Sequence, residues 1–215
     1  MKHTIKLSSI EKKIEDNMVL RDINIELESG NIYGFVGKNG SGKTMLFRMI
    51  AGLVKPDAGQ ILIDERSVKF NEENLLSIGL IIENAGLYKE FTARENLKLL
   101  ASIRGVIGDD EIDAAIRKVG LDPKDKRKVG KYSLGMRQRL LFAQAVMESP
   151  DVLLLDEPTN ALDKEGINMI RELILKERAR GALICLASHN EADISMLCDK
   201  IFKMDMGELV NEKGV

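Results

Sequence analysis

The stretch "GKNGSGKT", Gly37 to Thr44, lies between "NIYGFV" and "MLFRMIAGL", and its reading decides the rest of the chain. It places Gly37, Gly42, Lys43 and Thr44 at the spacing of a phosphate-binding loop. Glycines there let successive backbone N–H groups, those of Asn39, Gly40 and Ser41 among them, curl around phosphate oxygens. A helix beginning near Lys43 adds its positive end, Lys43 reaches the outer phosphates, and the Thr44 hydroxyl is a ligand for magnesium. The competing reading is a glycine-rich turn that binds nothing. The flanks weigh against it. "NIYGFVG" is a short apolar strand running into the turn, and Met45, Phe47, Ile50 and Leu53 space an apolar face along a helix after it. Strand, loop and helix in that order are the context the motif requires.

Downstream, "DVLLLDEP" carries Asp156 and Glu157 to the end of a second apolar strand, the position at which open parallel sheets bind their ligands. Asp156 suits magnesium or its water, and Glu157 suits the orientation and polarisation of an attacking water. Paired acids of this kind also occur at helix starts and in surface ion pairs. The phosphate loop upstream tips the balance toward the site. "ALICLAS" is a third such run, separated from the second by the helical "GINMIRELILKERAR". Apolar runs without alternation suit strands covered on both faces, which predicts an α/β core with a mostly parallel sheet between helices.

The N-terminal part has another texture. "VLRDINIELESG" alternates Ile23, Ile25 and Leu27 with polar residues and ends at Gly30, as a half-buried antiparallel strand does. "GQILIDERSV" and "KIFKMDMGELV" read as further short pairs of strands. The middle turns helical: Thr92 and Glu95 form a capping box, and Ile112, Ala115, Ile116 and Val119 repeat at helical spacing before Gly120. One domain is expected over 1–215, with a core lobe of 1–85 and 148–215 and a helical subdomain of about 86–147.

The bulk numbers fit that outline. A chain of 215 residues with 44% hydrophobic and 31% charged residues has enough apolar surface for a buried core. Its net charge of −2 offers no basic field for nucleic acid, so no such partner is expected. Cys185 and Cys198 stand at neither a metal spacing nor a disulfide framework and read as reduced thiols. No stretch approaches the roughly 20 apolar residues that span a bilayer, and "MKHTIKLSSI" lacks the apolar block of a signal peptide. The mixed charges of "DPKDKRKVGK" read as a solvated connection.

"KYSLGMRQRLLFAQAV" holds a second anion-binding helix end, with Ser133 at the start and Leu140, Leu141 and Val146 beyond it; an ordinary N-cap is the alternative. With this segment in place, nearly the whole chain resembles the nucleotide-binding subunit of an ATP-binding cassette (ABC) transporter. The resemblance implies a P-loop NTPase core with an N-terminal antiparallel β subdomain and an inserted helical subdomain, the ABC ATPase fold. It implies Mg-ATP as substrate and cofactor. It also implies a homodimer or heterodimer of ATPase subunits and an integral membrane permease that holds them peripherally on the inner face of the cell membrane.

In that family the signature segment of one subunit closes on the ATP held by the phosphate loop of the other. "YSLGM" keeps Ser133 and Gly135 for this purpose, while Tyr132, Leu134 and Met136 depart from the commonest form. "NALD", 160–163, resembles the loop through which the two sites communicate, and His189 resembles the switch histidine that contacts the γ-phosphate.

Two further positions depart from the family. Glu83, at the end of the apolar run "IGLIIE", stands where glutamine is usual; as a hard anionic oxygen it is expected to meet magnesium, the alternative being a solvent-facing loop carboxylate. Ile14 fits the place of the usual aromatic residue against adenine and supplies packing without stacking. Glu157, His189 and Lys43 are the expected catalytic residues, and Thr44, Glu83 and Asp156 the expected metal ligands. "NAGLYKEF", with Leu87, Tyr88 and Phe91, is the expected permease contact. The same resemblance favours an exporter of the peptide-antibiotic (bacitracin or lantibiotic) subset. ABC ATPases of DNA repair or translation form the alternative class, and the chain shows neither a long coiled-coil insertion nor a second cassette.

Overall fold

The computed structural model describes residues 2–68, 70, 76–82 and 86–214, the last four of these by their backbone alone. Two sheets and a group of helices make up the molecule. The first sheet is antiparallel, in the order β2 (Asn17–Glu28), β1 (Thr4–Ile14), β4 (Ala58–Ile63), β5 (Arg66–Ser67). Ile23, Ile25 and Leu27 of β2 face the core as their alternation predicts, opposite Ile5, Leu7 and Ile10 of β1. The pairing shifts register between Leu7 and Ile10, where Ser9 takes a φ of 47°. A bulge of this kind bends the strand and breaks its alternation.

The second sheet runs β10 (Glu208–Gly214), β9 (Lys200–Asp205), β3 (Ile32–Val36), β8 (Leu183–Ala187), β7 (Val152–Asp156), β6 (Ile78–Ile81). It is parallel from β9 to β6, with β10 added antiparallel at its edge. Both faces are covered, which is why β8 is apolar throughout and β7 is apolar up to Asp156 at its end. Leu153, Leu155, Ile184 and Leu186 enter one core with the helices of the middle segment. Val152, Leu154, Leu183 and Cys185 enter another with the antiparallel sheet and the helix α1 (Lys43–Ile50). Gly79 is where α4 (Leu134–Val146) meets β6: a Cβ there would stand 2.0 Å from the Ala145 carbonyl oxygen.

Helix α1 departs from its expected face in one place. Leu46, Phe47, Met49 and Ile50 are buried, but the helix ends at Ile50 and Leu53 is 53% exposed beyond it. The chain turns at Gly52, φ 74°, and carries Leu53 away from the face. In the middle segment, α2 (Ala93–Arg104) opens on the expected capping box, with the Thr92 hydroxyl accepting from the Glu95 amide and the Glu95 carboxylate accepting from the Thr92 amide. Next come α3 (Asp109–Lys118), which buries Ile112, Ala115 and Ile116, and α4. Helices α5 (Lys164–Arg180) and α6 (Glu191–Leu197) flank β8 in sequence. Both cysteines are free and buried, and desolvation pushes both thiols above their ordinary pKa. No helix among the described residues is long and apolar enough to cross a membrane.

Candidate functional site

A cleft of about 370 Å³ opens at the C-terminal ends of β3, β7 and β8, lined by the loop 39–44 and by Val19, Asp156, Glu157, Asn160 and His189. The loop takes its shape from glycine. Gly40 and Gly42 have φ of 81° and 106°. A Cβ on Gly37 would lie 2.2 Å from the Met204 carbonyl oxygen, so β9 approaches the loop as closely as only glycine permits. Gly42 is also the N-cap of α1 and contributes no side-chain hydrogen bond, so the first amides of that helix have no side-chain acceptor at the cap.

Lys43 is 7% exposed, and its ammonium donates to the carbonyls of Gly37 at 2.6 Å and Lys38 at 3.1 Å. Desolvation lowers its pKa, against the opposing attraction of Asp156 and Glu157. The Thr44 hydroxyl donates to the Asp156 carboxylate at 2.5 Å, joining segments 112 residues apart. That contact unites the two halves of the site that the sequence places far from each other.

Glu157 follows directly, in the left-handed region at φ 51°. Its backbone is held at both ends: its amide donates to the Ala187 carbonyl at 2.9 Å, and its own carbonyl accepts from Gln138 at 3.0 Å. One carboxylate oxygen, Oε1, is buried without a hydrogen-bond partner. Its neighbour is His189 Nε2 at 3.5 Å, an electrostatic contact beyond ordinary hydrogen-bond length. Desolvation raises the Glu157 pKa; the nearby His189 pulls it down and Asp156 pushes it up again. His189 Nε2 also lies 2.8 Å from the Asn39 side-chain oxygen, which ties the loop after β8 to the phosphate loop.

The predicted residues therefore divide. Asn39, Gly40, Ser41, Gly42, Lys43, Thr44, Asp156, Glu157 and His189 share the cleft. Gly37 is not among the lining residues but accepts from the Lys43 ammonium with its carbonyl. Ser133 and Gly135 do not line it: Ser133 caps α4 elsewhere on the surface, its hydroxyl accepting from the Met136 amide at 3.1 Å. Gly135 packs on the 160–163 loop, where a Cβ would be 3.1 Å from the Ala161 carbonyl oxygen. Ile14 does not reach the cleft either. It pairs with Asn17 at the tip of the β1–β2 hairpin and is 45% exposed, whereas Val19, further along β2, lines the cleft. Glu83 lies outside the described residues. Sequence reasoning missed Val19, Met45 and Arg48 as lining residues; the two on α1 follow the loop at helical spacing, a signal that was available.

The donor set is one of hard oxygens. Among the described residues no group of three or more His, Cys, Asp or Glu could hold a metal by itself. A hydroxyl and a carboxylate side by side suit a small hard cation that keeps several waters and takes substrate phosphate as its other ligands, as Mg²⁺ does.

A site of this kind, an anion-cradling loop facing a carboxylate pair across the ends of a parallel sheet, is that of a nucleoside-triphosphate-hydrolysing domain. The chain belongs to the ABC transporter family, whose model matches residues 20–160. Its activity is ATP hydrolysis in the service of transport. It is 44% identical to an uncharacterized ABC transporter ATP-binding protein, YybJ, of Bacillus subtilis (strain 168), over 98% of this chain and 97% of that one. It is 41% identical to the bacitracin transport ATP-binding protein BcrA of Bacillus licheniformis, over 99% of this chain and 70% of the relative. The lantibiotic transport ATP-binding protein SrtF of Streptococcus pyogenes is 35% identical over 97% and 90%. Among solved structures, a dimeric bacterial ABC transporter cassette shares the fold with a TM-score of 0.87 at 24% identity, over 98% of each chain.

Proposed function

We propose that this chain is the motor of an exporter whose cargo has the chemistry of a peptide antibiotic, acting as one of a pair of ATPase subunits on a separate membrane permease. The relatives named for bacitracin and lantibiotic transport support the cargo class. The observation that carries the reading is the convergence of Thr44, Asp156, Glu157 and His189 on one cleft.

The residues divide the work as follows. Amides of the 39–44 loop and the Lys43 ammonium bind the phosphates, with α1 directing its positive end at them. Bound magnesium would neutralise phosphate charge, held by Thr44 and Asp156, with Glu83 as the third proposed ligand. Glu157, desolvated and with one buried oxygen unpartnered, takes the proton of the attacking water. His189, whose Nε2 lies 3.5 Å from that carboxylate, is assigned to the γ-phosphate. Val19 takes the place foreseen for Ile14 as the aliphatic wall for the base.

Pairing of subunits is supported by the separation of the Ser133 end of α4 from the Lys43 cleft, since a second chain would bring its own Ser133 and Gly135 to the phosphates. The lobes proposed are a core of 1–85 and 148–215 and a helical subdomain of 86–147. The permease is assigned to the groove beside 86–91, where Tyr88 and Phe91 are exposed and in contact at 5.4 Å between ring centres. That partner would keep the chain at the inner face of the membrane.

The test is Glu157→Gln in the purified chain. Phosphate release should fall about 100-fold or more, as loss of a general base entails. ATP binding should persist, and the ATP-saturated variant should run as a dimer. An undiminished rate removes Glu157 from the reaction.

A further inference from the structure

Asp193 is fully buried at the first turn of α6 and belongs to none of the motifs that form the cleft. Its two carboxylate oxygens are used differently. Oδ1 receives the guanidinium of Arg171 from α5, with Nε at 2.7 Å and a second nitrogen at 2.5 Å. Oδ2 receives two hydroxyls, Thr159 at 2.5 Å and Ser188 at 3.3 Å. Thr159 is two residues after Glu157, and Ser188 immediately precedes His189. Both hydroxyls are buried, on residues 6% and 3% exposed. Ser188 Oγ also accepts from the Asn190 amide at 3.1 Å, so the chain is held on either side of His189.

We propose that Asp193 is a positioning residue that sets the distance between Glu157 and His189 by holding Thr159, just after the one, and Ser188, just before the other, on a single oxygen, with α5 as the anchor. The proposal rests on the roles given above to Glu157 and His189. The physical need is plain in the geometry. The two functional side chains follow different strands, β7 and β8, and meet across 3.5 Å, a separation that neither strand fixes once the chain has left the sheet. A charged acceptor holds a hydroxyl about twice as strongly as a neutral one. Two hydroxyls on one oxygen move together, so displacing the 157–163 loop displaces the Ser188–Asn190 turn with it. Through Gln138 and Arg139, which bond to Glu157, Pro158 and Asp163, the first turns of α4 join the same connection. A continuous run of hydrogen bonds thus links the first turns of that helix to the turn that bears His189.

Asp193→Asn strips Arg171 of its charge partner and risks the fold, so the hydroxyls are the better probes. Steady-state ATP hydrolysis and fluorescent-nucleotide affinity would be measured for Thr159→Val, Thr159→Ser, Ser188→Ala and the double variant Thr159→Val/Ser188→Ala, with thermal midpoints alongside and Glu157→Gln as reference. We expect Thr159→Val to lower kcat about tenfold with KM little changed, since misplacing reacting groups by a fraction of an ångström costs rate before binding. Thr159→Ser should restore the rate. The double variant should lose much less than the product of the two single losses, because both hydroxyls act through one oxygen. If Glu157→Gln is inactive while Thr159→Val and Ser188→Ala turn over at the wild-type rate, the positioning role is wrong and the functional assignment stands. Equal loss in Thr159→Val and Thr159→Ser also overturns it, as do fully multiplicative losses or rates that merely follow the thermal midpoints. An active Glu157→Gln sinks the functional assignment itself, and the inference with it.

Discussion

Gly42→Ala tests whether the phosphate loop is held by steric necessity. At φ 106° an L-residue lies outside even the left-handed minimum, a strain of roughly 1–3 kcal/mol. The added Cβ would stand 2.9 Å from the backbone carbonyl of Val19 and 2.7 Å from Leu20 Cδ2. Crowding of a packed site costs about 1–3 kcal/mol more, and the carbonyl cannot rotate away as a side chain would. Taking about 3 kcal/mol for the two together, and about 2–4 °C per kcal/mol for a chain of this length, the thermal midpoint should fall by roughly 6–12 °C. Val19 lines the cleft, so the displaced strand should also weaken ATP binding about tenfold, equivalent to 1.4 kcal/mol. Gly40→Ala supplies the control. Its φ is 81°, but a Cβ there meets nothing within 4 Å. It carries the backbone penalty alone, about 1–2 kcal/mol, and should lose only a few degrees. The chain has no tryptophan, so unfolding is best followed by circular dichroism, with nucleotide affinity by calorimetry. Equal midpoints for the two variants, or a Gly42→Ala protein with wild-type stability and ATP affinity, would refute the packing account of the loop.

Burial raises the pKa of Glu157, so the folded protein holds that proton more tightly than the unfolded chain, and stability is lost as pH rises from the ordinary glutamate value of 4.5 through the folded one. Glu157→Gln should therefore melt at the same temperature as wild type below 4.5 and above it at neutral pH, measured by paired melts across that range; a variant no more stable at neutral pH contradicts the desolvation argument. Glu83→Gln should leave ATP affinity intact and shift the magnesium dependence of turnover, and superimposable magnesium titrations would exclude Glu83 as a ligand.

What the sequence disclosed and what it hid follow from the range of the interactions involved. The phosphate loop was legible because backbone amides can wrap an anion only where glycine clears the way, and that requirement is written within eight residues. The strands β7 and β8 were legible because a strand covered on both faces has no polar side to interrupt it. Thr92 and Glu95 cap each other across three residues, so that signal is local as well. β1 has no clean pattern to read, since the bulge at Ser9 spoils its alternation. Val19 looks like one more apolar residue of a strand, and only the passage of β2 beside Gly42 brings it to the cleft rather than the core. Asp193 was the least legible. An acid in the first turn of a helix is ordinarily solvated, and this one is buried by partners 22 and 34 residues away that no local pattern announces.

The strand that delivers the phosphate loop has an unusual debt to the rest of the sheet. β3 ends at Val36, yet its two hydrogen-bonded neighbours, β8 and β9, begin at Leu183 and Lys200. During synthesis the ribosome releases Gly37 to Thr44 long before either neighbour exists, so the nascent loop has no sheet to stand on while the 138 residues from 45 to 182 are added. Nucleotide cannot act as an early folding template in this chain. A stop codon anywhere before β8 would leave an apolar strand unpaired on both edges, a substrate for chaperones and proteases rather than a weakened ATPase.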